Sequence, residues 1–99
     1  MLYMILGREA PDALALRQQA RPAHIERLKA LQSQGRLILA GPLPAIDSTD
    51  PGPAGFSGSL VVAEFPSLED AQAWGADEPY LQAGAWLAID VRPFVQVLP

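Results

Sequence analysis

Four short apolar segments constrain the fold of this 99-residue chain more than any other feature. They are residues 2–6 (LYMIL), 36–41 (RLILAG), 59–65 (SLVVAEF) and 86–98 (WLAIDVRPFVQVL). Short apolar runs bounded by glycine, proline or charged residues are typical of buried β-strands. Pro93 lies inside the last segment and indicates an edge strand, because proline cannot donate a hydrogen bond to a neighbouring strand.

A helix is predicted between the first two strands, over residues 23–34. At 100° per residue, His24, Leu28 and Leu31 share one face of this helix. Pro22 lies just before them, lacks a backbone N–H and has a fixed φ, so it either starts this helix or kinks a longer one. In the first case, which we expect, His24 lies in the first helical turn.

A second helix is predicted over residues 67–75, where Ser67 and Asp70 resemble a capping box. The resulting order is strand, helix, strand, strand, helix, strand. This is the split βαβ order of ferredoxin-like α+β folds, in which two helices cover one face of a four-stranded antiparallel sheet. A chain of this length suits one domain, so residues 1–99 are expected to form a single unit.

The strands are apolar on both sides, although two helices can cover only one face of the sheet. An uncovered apolar sheet face would be an unusually large exposed patch. We therefore expect a homodimer in which two protomers pack sheet to sheet.

Residues 41–58 contain four prolines and four glycines and are expected to form a long irregular loop. Asp47, Ser48, Thr49 and Asp50 give this loop the oxygen content of a cation site. Their spacing lacks the glycine and distal glutamate of an EF-hand, so turn formation explains them better. No metal and no cofactor are predicted.

Composition excludes several classes of function. The net charge is −4 and no basic run is present, which argues against nucleic acid as a partner. The chain has no cysteine, so it has neither a disulfide framework nor a thiolate nucleophile. No apolar run is long enough to span a membrane and no signal peptide is evident, so we expect no membrane partner and a cytoplasmic location.

Four segments, RPAHIERL, GRLILAGPLPAID, GFSGSLVVAEFPSLEDAQAW and DEPYLQAGAW, together resemble the YciI-like (YCII-related) family in order and spacing. The resemblance covers nearly the whole chain. It implies a ferredoxin-like fold, a dimeric α/β barrel and an architecture related to that of muconolactone isomerases. It also implies a histidine and an aspartate at a suspected active site, carried here by His24 and Asp77, and some relatives act as dehalogenases on chlorinated lactones.

A histidine backed by a carboxylate is the minimal apparatus for acid–base catalysis, because imidazole titrates near neutral pH. We therefore predict that His24 and Asp77 carry out isomerisation or elimination on a small organic acid or lactone. A helix start at Pro22 would also attract anions, and Arg21 beside it suits a carboxylate-bearing ligand. The rest of the pocket is predicted from strand ends and consists of Tyr3, Ile5, Leu39, Gly41, Pro42 and Ser59, with Gly41, Pro42 and Ser59 as ligand-binding residues.

Structural explanations for the same residues stay open at this point. A lone histidine on an apolar helix face is, without the resemblance, more often a core residue. Asp77 could cap a helix end, and Arg21 could be a solvated side chain or an ion-pair partner. At the level of the whole protein, the alternative to an enzyme is a dimer that binds a small molecule, or serves as an accessory protein, without turnover.

Overall fold

In the computed structural model, which describes all residues from Met1 to Pro99, the chain forms four strands and two main helices. The elements are β1 (Leu2–Glu9), α1 (Leu14–Ser33), β2 (Leu37–Pro44), a 3₁₀ turn (Gly52–Ala54), β3 (Phe56–Glu64), α2 (Leu68–Ala76), the one-turn α3 (Pro79–Gln82) and β4 (Trp86–Phe94). The predicted α+β class and βαββαβ order are confirmed.

The strands form one antiparallel sheet in the order β2-β3-β1-β4. Ile5 in the central strand β1 lies opposite Val61 of β3 and Val91 of β4. Because directly paired residues point to the same face, Tyr3, Ile5 and Val61 lie together under the helices, where all three are buried. β4 is an edge strand, which is why Pro93 is tolerated in it.

Helix α1 packs Leu28 and Leu31 into the core formed by the covered face of the sheet. Helix α2 begins at Ser67, whose hydroxyl accepts a hydrogen bond from the Asp70 N–H at 3.1 Å, as predicted. α2 approaches β4 closely at Gly75, where a side-chain carbon would lie 2.9 Å from Ile89 Cδ1. Glycine at this position therefore brings the C-terminal end of α2, and the corner that follows it, down onto the sheet.

The prediction that His24 lies in a first helical turn is wrong. α1 runs without interruption from Leu14 to Ser33, and Pro22 is inside it on the exposed side. Proline removes the hydrogen bond to the carbonyl four residues earlier and its ring crowds that carbonyl, but packing of the buried face outweighs this cost. His24 is therefore mid-helix, so the predicted anion site at a helix start beside Arg21 does not exist.

The loop between β2 and β3 is shorter than predicted. β2 extends through Pro44 and β3 begins at Phe56, so irregular structure is confined to residues 45–55 and includes the 3₁₀ turn. Pro42 and Pro44 fit because β2 is an edge strand. The last predicted strand is also shorter, since β4 ends at Phe94.

The face of the sheet opposite the helices has no covering element within the chain. It is mainly apolar along β1, β2 and β3, whereas register places the charged Asp90 and Arg92 of β4 beside Leu6 and Met4. Register places Met4 beside Val62 and Leu6 beside Leu60, and Leu39 of β2 extends this set. Leu39 is 50% exposed.

None of the helices is long and apolar enough to cross a membrane.

Candidate active site

The imidazole of His24 is paired with a buried carboxylate. His24 Nδ1 lies 2.6 Å from Glu78 Oε1, and Glu78 is fully buried. The same carboxylate oxygen accepts a hydrogen bond from the Tyr80 N–H at 3.2 Å, while Arg27 Nη1 lies 3.5 Å from the other oxygen. A carboxylate only accepts hydrogen bonds, so this pairing places a proton on Nδ1 and leaves Nε2 as the proton-accepting nitrogen.

Glu78 reaches His24 from the corner between α2 and α3. Its backbone is extended, with φ −61° and ψ 128°, as expected for the residue before a proline. Pro79 then starts α3, and the Glu78 side chain caps that helix while it holds the imidazole.

Asp77 does not form the predicted pair with His24. It is the C-terminal cap of α2, where its backbone N–H donates to the Ala73 carbonyl at 3.1 Å, and it is exposed. The carboxylate that meets the imidazole is one residue later, because the chain turns from α2 into α3 between these two positions.

Two aromatic rings hold the His24 imidazole in place. Tyr80 stacks on it with ring centroids 4.1 Å apart, and Trp86 meets it edge-on at 6.2 Å. The Trp86 indole lies over Gly7 of β1, where any side chain would overlap it. The two rings fix the plane of the imidazole. His24 Nε2 has no hydrogen-bond partner within the chain and is not sealed from solvent.

Beside this group lies a buried arginine that the sequence analysis missed. Arg17 Nη1 donates to Glu9 Oε1 at 2.7 Å, and Nη2 donates to Ser59 Oγ at 2.6 Å. Its guanidinium carbon also lies 4.5 Å from the Phe56 ring centroid and 4.7 Å from that of Tyr80. Burial raises the pKa of Glu9, an effect that the Arg17 charge and hydrogen bond partly oppose.

The imidazole and this arginine line one cavity of about 410 Å³ between α1 and the β2 end of the sheet. Its lining is Leu14, Arg17, Gln18, Arg21, His24, Ile25, Leu28, Ala40, Gly41, Pro42, Phe56 and Tyr80. No aspartate or glutamate belongs to this lining. Arg21 is exposed at the cavity and forms no ion pair within the chain, so the cavity suits an anion.

The structure brings most of the predicted site residues together. Arg21, His24, Gly41 and Pro42 line the cavity, and Ser59 lies behind it in contact with Arg17. Their roles in binding or catalysis stay predictions. The predicted lining residues Tyr3, Ile5 and Leu39 do not reach the cavity: the first two are core residues, and Leu39 is exposed on the open face of the sheet.

Helical spacing could have revealed Arg17. Residues 17, 21, 24, 28 and 31 recur at intervals of three and four, which places them on one face of a continuous helix. The prediction that a helix begins at Pro22 separated Arg17 from this face and concealed the spacing. Nothing in the local sequence distinguishes Glu78 from Asp77 as the partner of His24.

Comparison with known proteins decides the family. The YCII-related domain model matches residues 1–95. The chain belongs to the YCII-related family. Protein YciI from Escherichia coli O6:H1 is 53% identical over 97 residues, which are 98% of this chain and 99% of that protein. An uncharacterized protein from Haemophilus influenzae is 44% identical over the same shares of the two chains.

A solved structure shares the fold of this YCII-related chain closely. It is the 5-chloro-2-hydroxyhydroquinone dehydrochlorinase of Burkholderia phenoliruptrix, in complex with 2,5-dihydroxybenzoquinone. The TM-score is 0.81 at 26% identity, and the match covers 96% of this chain and 94% of that one. The family resemblance stated from the sequence is confirmed, and an enzyme with a small-molecule ligand is among its structural neighbours.

Proposed function

We propose that this protein is an enzyme that uses His24 as a general base on a small, anionic ring compound. The observation that carries the proposal is the buried His24–Glu78 pair at 2.6 Å, on the wall of a cavity that has two arginines and no acidic lining residue. Glu78 takes the place of Asp77 in the predicted pair and acts as a positioning residue. It fixes the imidazole tautomer and stabilises the imidazolium that forms.

The proposed reaction begins with a proton transfer and ends either in isomerisation or in elimination. His24 Nε2 accepts a proton from the substrate, and the electron pair of the broken bond moves towards an adjacent carbonyl oxygen. In isomerisation, the imidazolium returns the proton to another carbon. In elimination, a leaving group departs with its bonding electron pair, so that the substrate loses one proton and one anion in total.

The substrate class follows from the charge and size of the cavity. Arg21 provides a free cation at its edge, and Phe56 and Tyr80 provide aromatic walls. A volume of about 410 Å³ is within the range of small-molecule sites. Because the dehydrochlorinase neighbour was solved with 2,5-dihydroxybenzoquinone, hydroxylated six-membered rings join small organic acids and lactones as the candidates to test.

The test compares three variants in turnover of 5-chloro-2-hydroxyhydroquinone, measured as chloride release, and in binding of 2,5-dihydroxybenzoquinone. We expect His24→Gln and Glu78→Gln to lower kcat by about 10²- to 10⁴-fold, the usual contribution of acid–base catalysis. Asp77→Asn is the matched control and should change kcat by less than about twofold, because Asp77 is exposed and the imidazole pairs with Glu78 instead.

Different results would contradict different parts of the proposal. If Asp77→Asn and Glu78→Gln lowered kcat equally, the assignment of Glu78 as the positioning residue would be wrong. Tight binding of 2,5-dihydroxybenzoquinone without turnover of any lactone, acid or chlorinated ring would favour the non-catalytic binding module. Neither binding nor turnover across that panel would overturn the proposed function.

We also propose that the working form is a homodimer. The open face of the sheet presents Met4, Leu6, Leu39 and Leu60 without a covering element. A second copy of the chain would cover this face with an identical one, as an isologous two-fold interface requires. Support for the proposal comes from the apolar side chains that β1, β2 and β3 place on this face.

A further inference from the structure

The hydroxyl of Tyr80 is a polar group without a partner at the candidate site. Tyr80 is 1% exposed and lines the cavity, yet its hydroxyl makes no hydrogen bond within the chain. The sealed polar atoms that lack a partner are Arg27 Nη1, Glu78 Oε2 and Trp86 Nε1, so the Tyr80 oxygen is not sealed. A buried tyrosine normally satisfies its hydroxyl, which indicates that this one is available to a ligand in the cavity.

The ring of Tyr80 lies against the ring of the proposed base. The Tyr80 and His24 rings are stacked with an interplanar angle of 24°, and both residues line the cavity. Like the Tyr80 oxygen, His24 Nε2 is unpartnered and not sealed from solvent. One ligand could therefore meet a proton acceptor and a hydrogen-bond donor at once.

The surroundings of Tyr80 keep its hydroxyl in the donating form. Burial raises the pKa of Tyr80, although the nearby charges of Arg17 and Arg21 partly oppose this. At neutral pH the phenol is therefore protonated. The Arg17 guanidinium, 4.7 Å from the ring centroid, also draws electron density from the phenol and strengthens its O–H as a donor.

We propose that Tyr80 is a second catalytic residue, whose hydroxyl donates a hydrogen bond to the substrate oxygen that becomes negative when His24 accepts the proton. This inference rests on the proposed function of His24. It narrows the substrate to compounds in which a carbonyl oxygen is conjugated to the carbon that loses its proton. Cyclic hydroxy-ketones and the keto tautomers of quinols meet this condition, whereas a simple carboxylate bound only through Arg21 does not.

The step is balanced without any further reactant. The proton moves to His24 Nε2, the electron pair forms a new double bond, and the carbonyl oxygen carries the negative charge. Tyr80 donates a hydrogen bond to that oxygen and keeps its own proton. The charge is consumed when the anion is protonated on another carbon or expels a leaving group with its bonding pair.

The test replaces one hydroxyl at a time. Tyr80→Phe keeps the ring that stacks on His24, and Tyr3→Phe is the matched control because Tyr3 is a core residue away from the cavity. We expect Tyr80→Phe to lower kcat for 5-chloro-2-hydroxyhydroquinone by about 10²-fold with KM changed less than about threefold, as for loss of one oxyanion donor. Tyr3→Phe should leave both constants within about twofold of the wild-type values.

A spectroscopic measurement shows whether a bound ligand reaches the Tyr80 ring. The chain has only two tyrosines, so in the Tyr3→Phe protein 3-fluorotyrosine labels Tyr80 alone. We expect its ¹⁹F resonance to shift when 2,5-dihydroxybenzoquinone binds, and to shift in the His24→Gln variant as well. An unmoved resonance under saturating ligand would overturn the inference.

Failure of this inference is distinguishable from failure of the proposed function. If His24→Gln abolishes turnover while Tyr80→Phe retains the wild-type kcat, the base is confirmed and Tyr80 is not catalytic. If the wild-type protein neither binds 2,5-dihydroxybenzoquinone nor turns over any substrate in the panel, the proposed function is overturned and the inference with it.

Discussion

At the scale of single residues, Arg17 carries the most unusual electrostatics in the protein. Its guanidinium and the Glu9 carboxylate are both almost fully buried, with side-chain exposures of 6% and 7%. Isolated charges are costly to bury, and removing one member of such a pair leaves the other uncompensated. The pair is therefore expected to be sensitive to substitution in a way that surface ion pairs are not.

The sign of the pH effect at Glu9 follows from its raised pKa. The folded state binds the Glu9 proton more tightly than the unfolded chain, in which the Glu9 pKa is near its ordinary value of 4.5. The stability that this proton contributes is thus fully present below pH 4.5 and is lost as pH rises through the folded-state pKa. Without Arg17, the opposing attraction disappears and this window extends to higher pH.

We predict that Arg17→Met lowers the free energy of unfolding at pH 7.5 by about 3–5 kcal/mol, the usual effect of breaking a buried pair. At pH 5 the loss should be smaller, because Glu9 can become protonated. Urea denaturation at both pH values measures this difference. Lys29→Met is the control, since Lys29 is an exposed cation of the same helix without an ion pair, and its loss should be small at either pH.

Adding Glu9→Gln to Arg17→Met identifies the titrating group. The double variant should lose the extra pH dependence, because no carboxylate is left to bind the proton. An equal destabilisation by Arg17→Met at pH 5 and pH 7.5 would contradict the role of Glu9.

At the scale of elements, α1 contains a helix-breaking residue that packing overrides. Pro22 is exposed in the middle of the helix and cannot donate to the Gln18 carbonyl. Proline in a helix interior costs about 3 kcal/mol relative to alanine, and its restriction of the unfolded chain returns about 0.4–1 kcal/mol.

We therefore predict that Pro22→Ala raises the free energy of unfolding by about 2–3 kcal/mol. Gln19→Ala, at another exposed position of α1, is the matched control and should change stability by less than about 0.5 kcal/mol. Thermal or urea unfolding of the two variants checks this. If Pro22→Ala lowered the free energy of unfolding, the prediction would be wrong, and proline would stabilise the local geometry of α1 at this position.

The same helix shows what sequence could and could not predict. The four strands and the chain order were predictable because apolar runs and their punctuation are local signals. Taking Pro22 as a helix start placed His24 in the wrong turn and concealed that Arg17 lies on the same helix face. The local sequence misleads here because tertiary packing decides whether a proline ends a helix. The contact between Glu78 and His24 could not be predicted from the sequence, because it depends on how the α2–α3 corner packs against α1.

At the scale of the whole molecule, the open face of the sheet is the largest surface that the helices leave uncovered. Leu39 is 50% exposed there, and its neighbours across the sheet are also apolar. A patch of this kind is expected to be covered in solution. If a second copy covers it, assembly contributes to the stability of each protomer, which then depends on protein concentration.

We predict that light scattering at micromolar concentration gives twice the chain mass of 10.6 kDa. Leu39→Lys should shift this equilibrium towards the protomer by placing a charge on the apolar β2–β3 part of the open face. Leu16→Lys is the matched control, because Leu16 is a comparably exposed leucine on α1, at 39%, and does not lie on the sheet. A 10.6 kDa species for the unmodified protein would contradict sheet-to-sheet packing, and equal dissociation by both lysine variants would place the interface elsewhere.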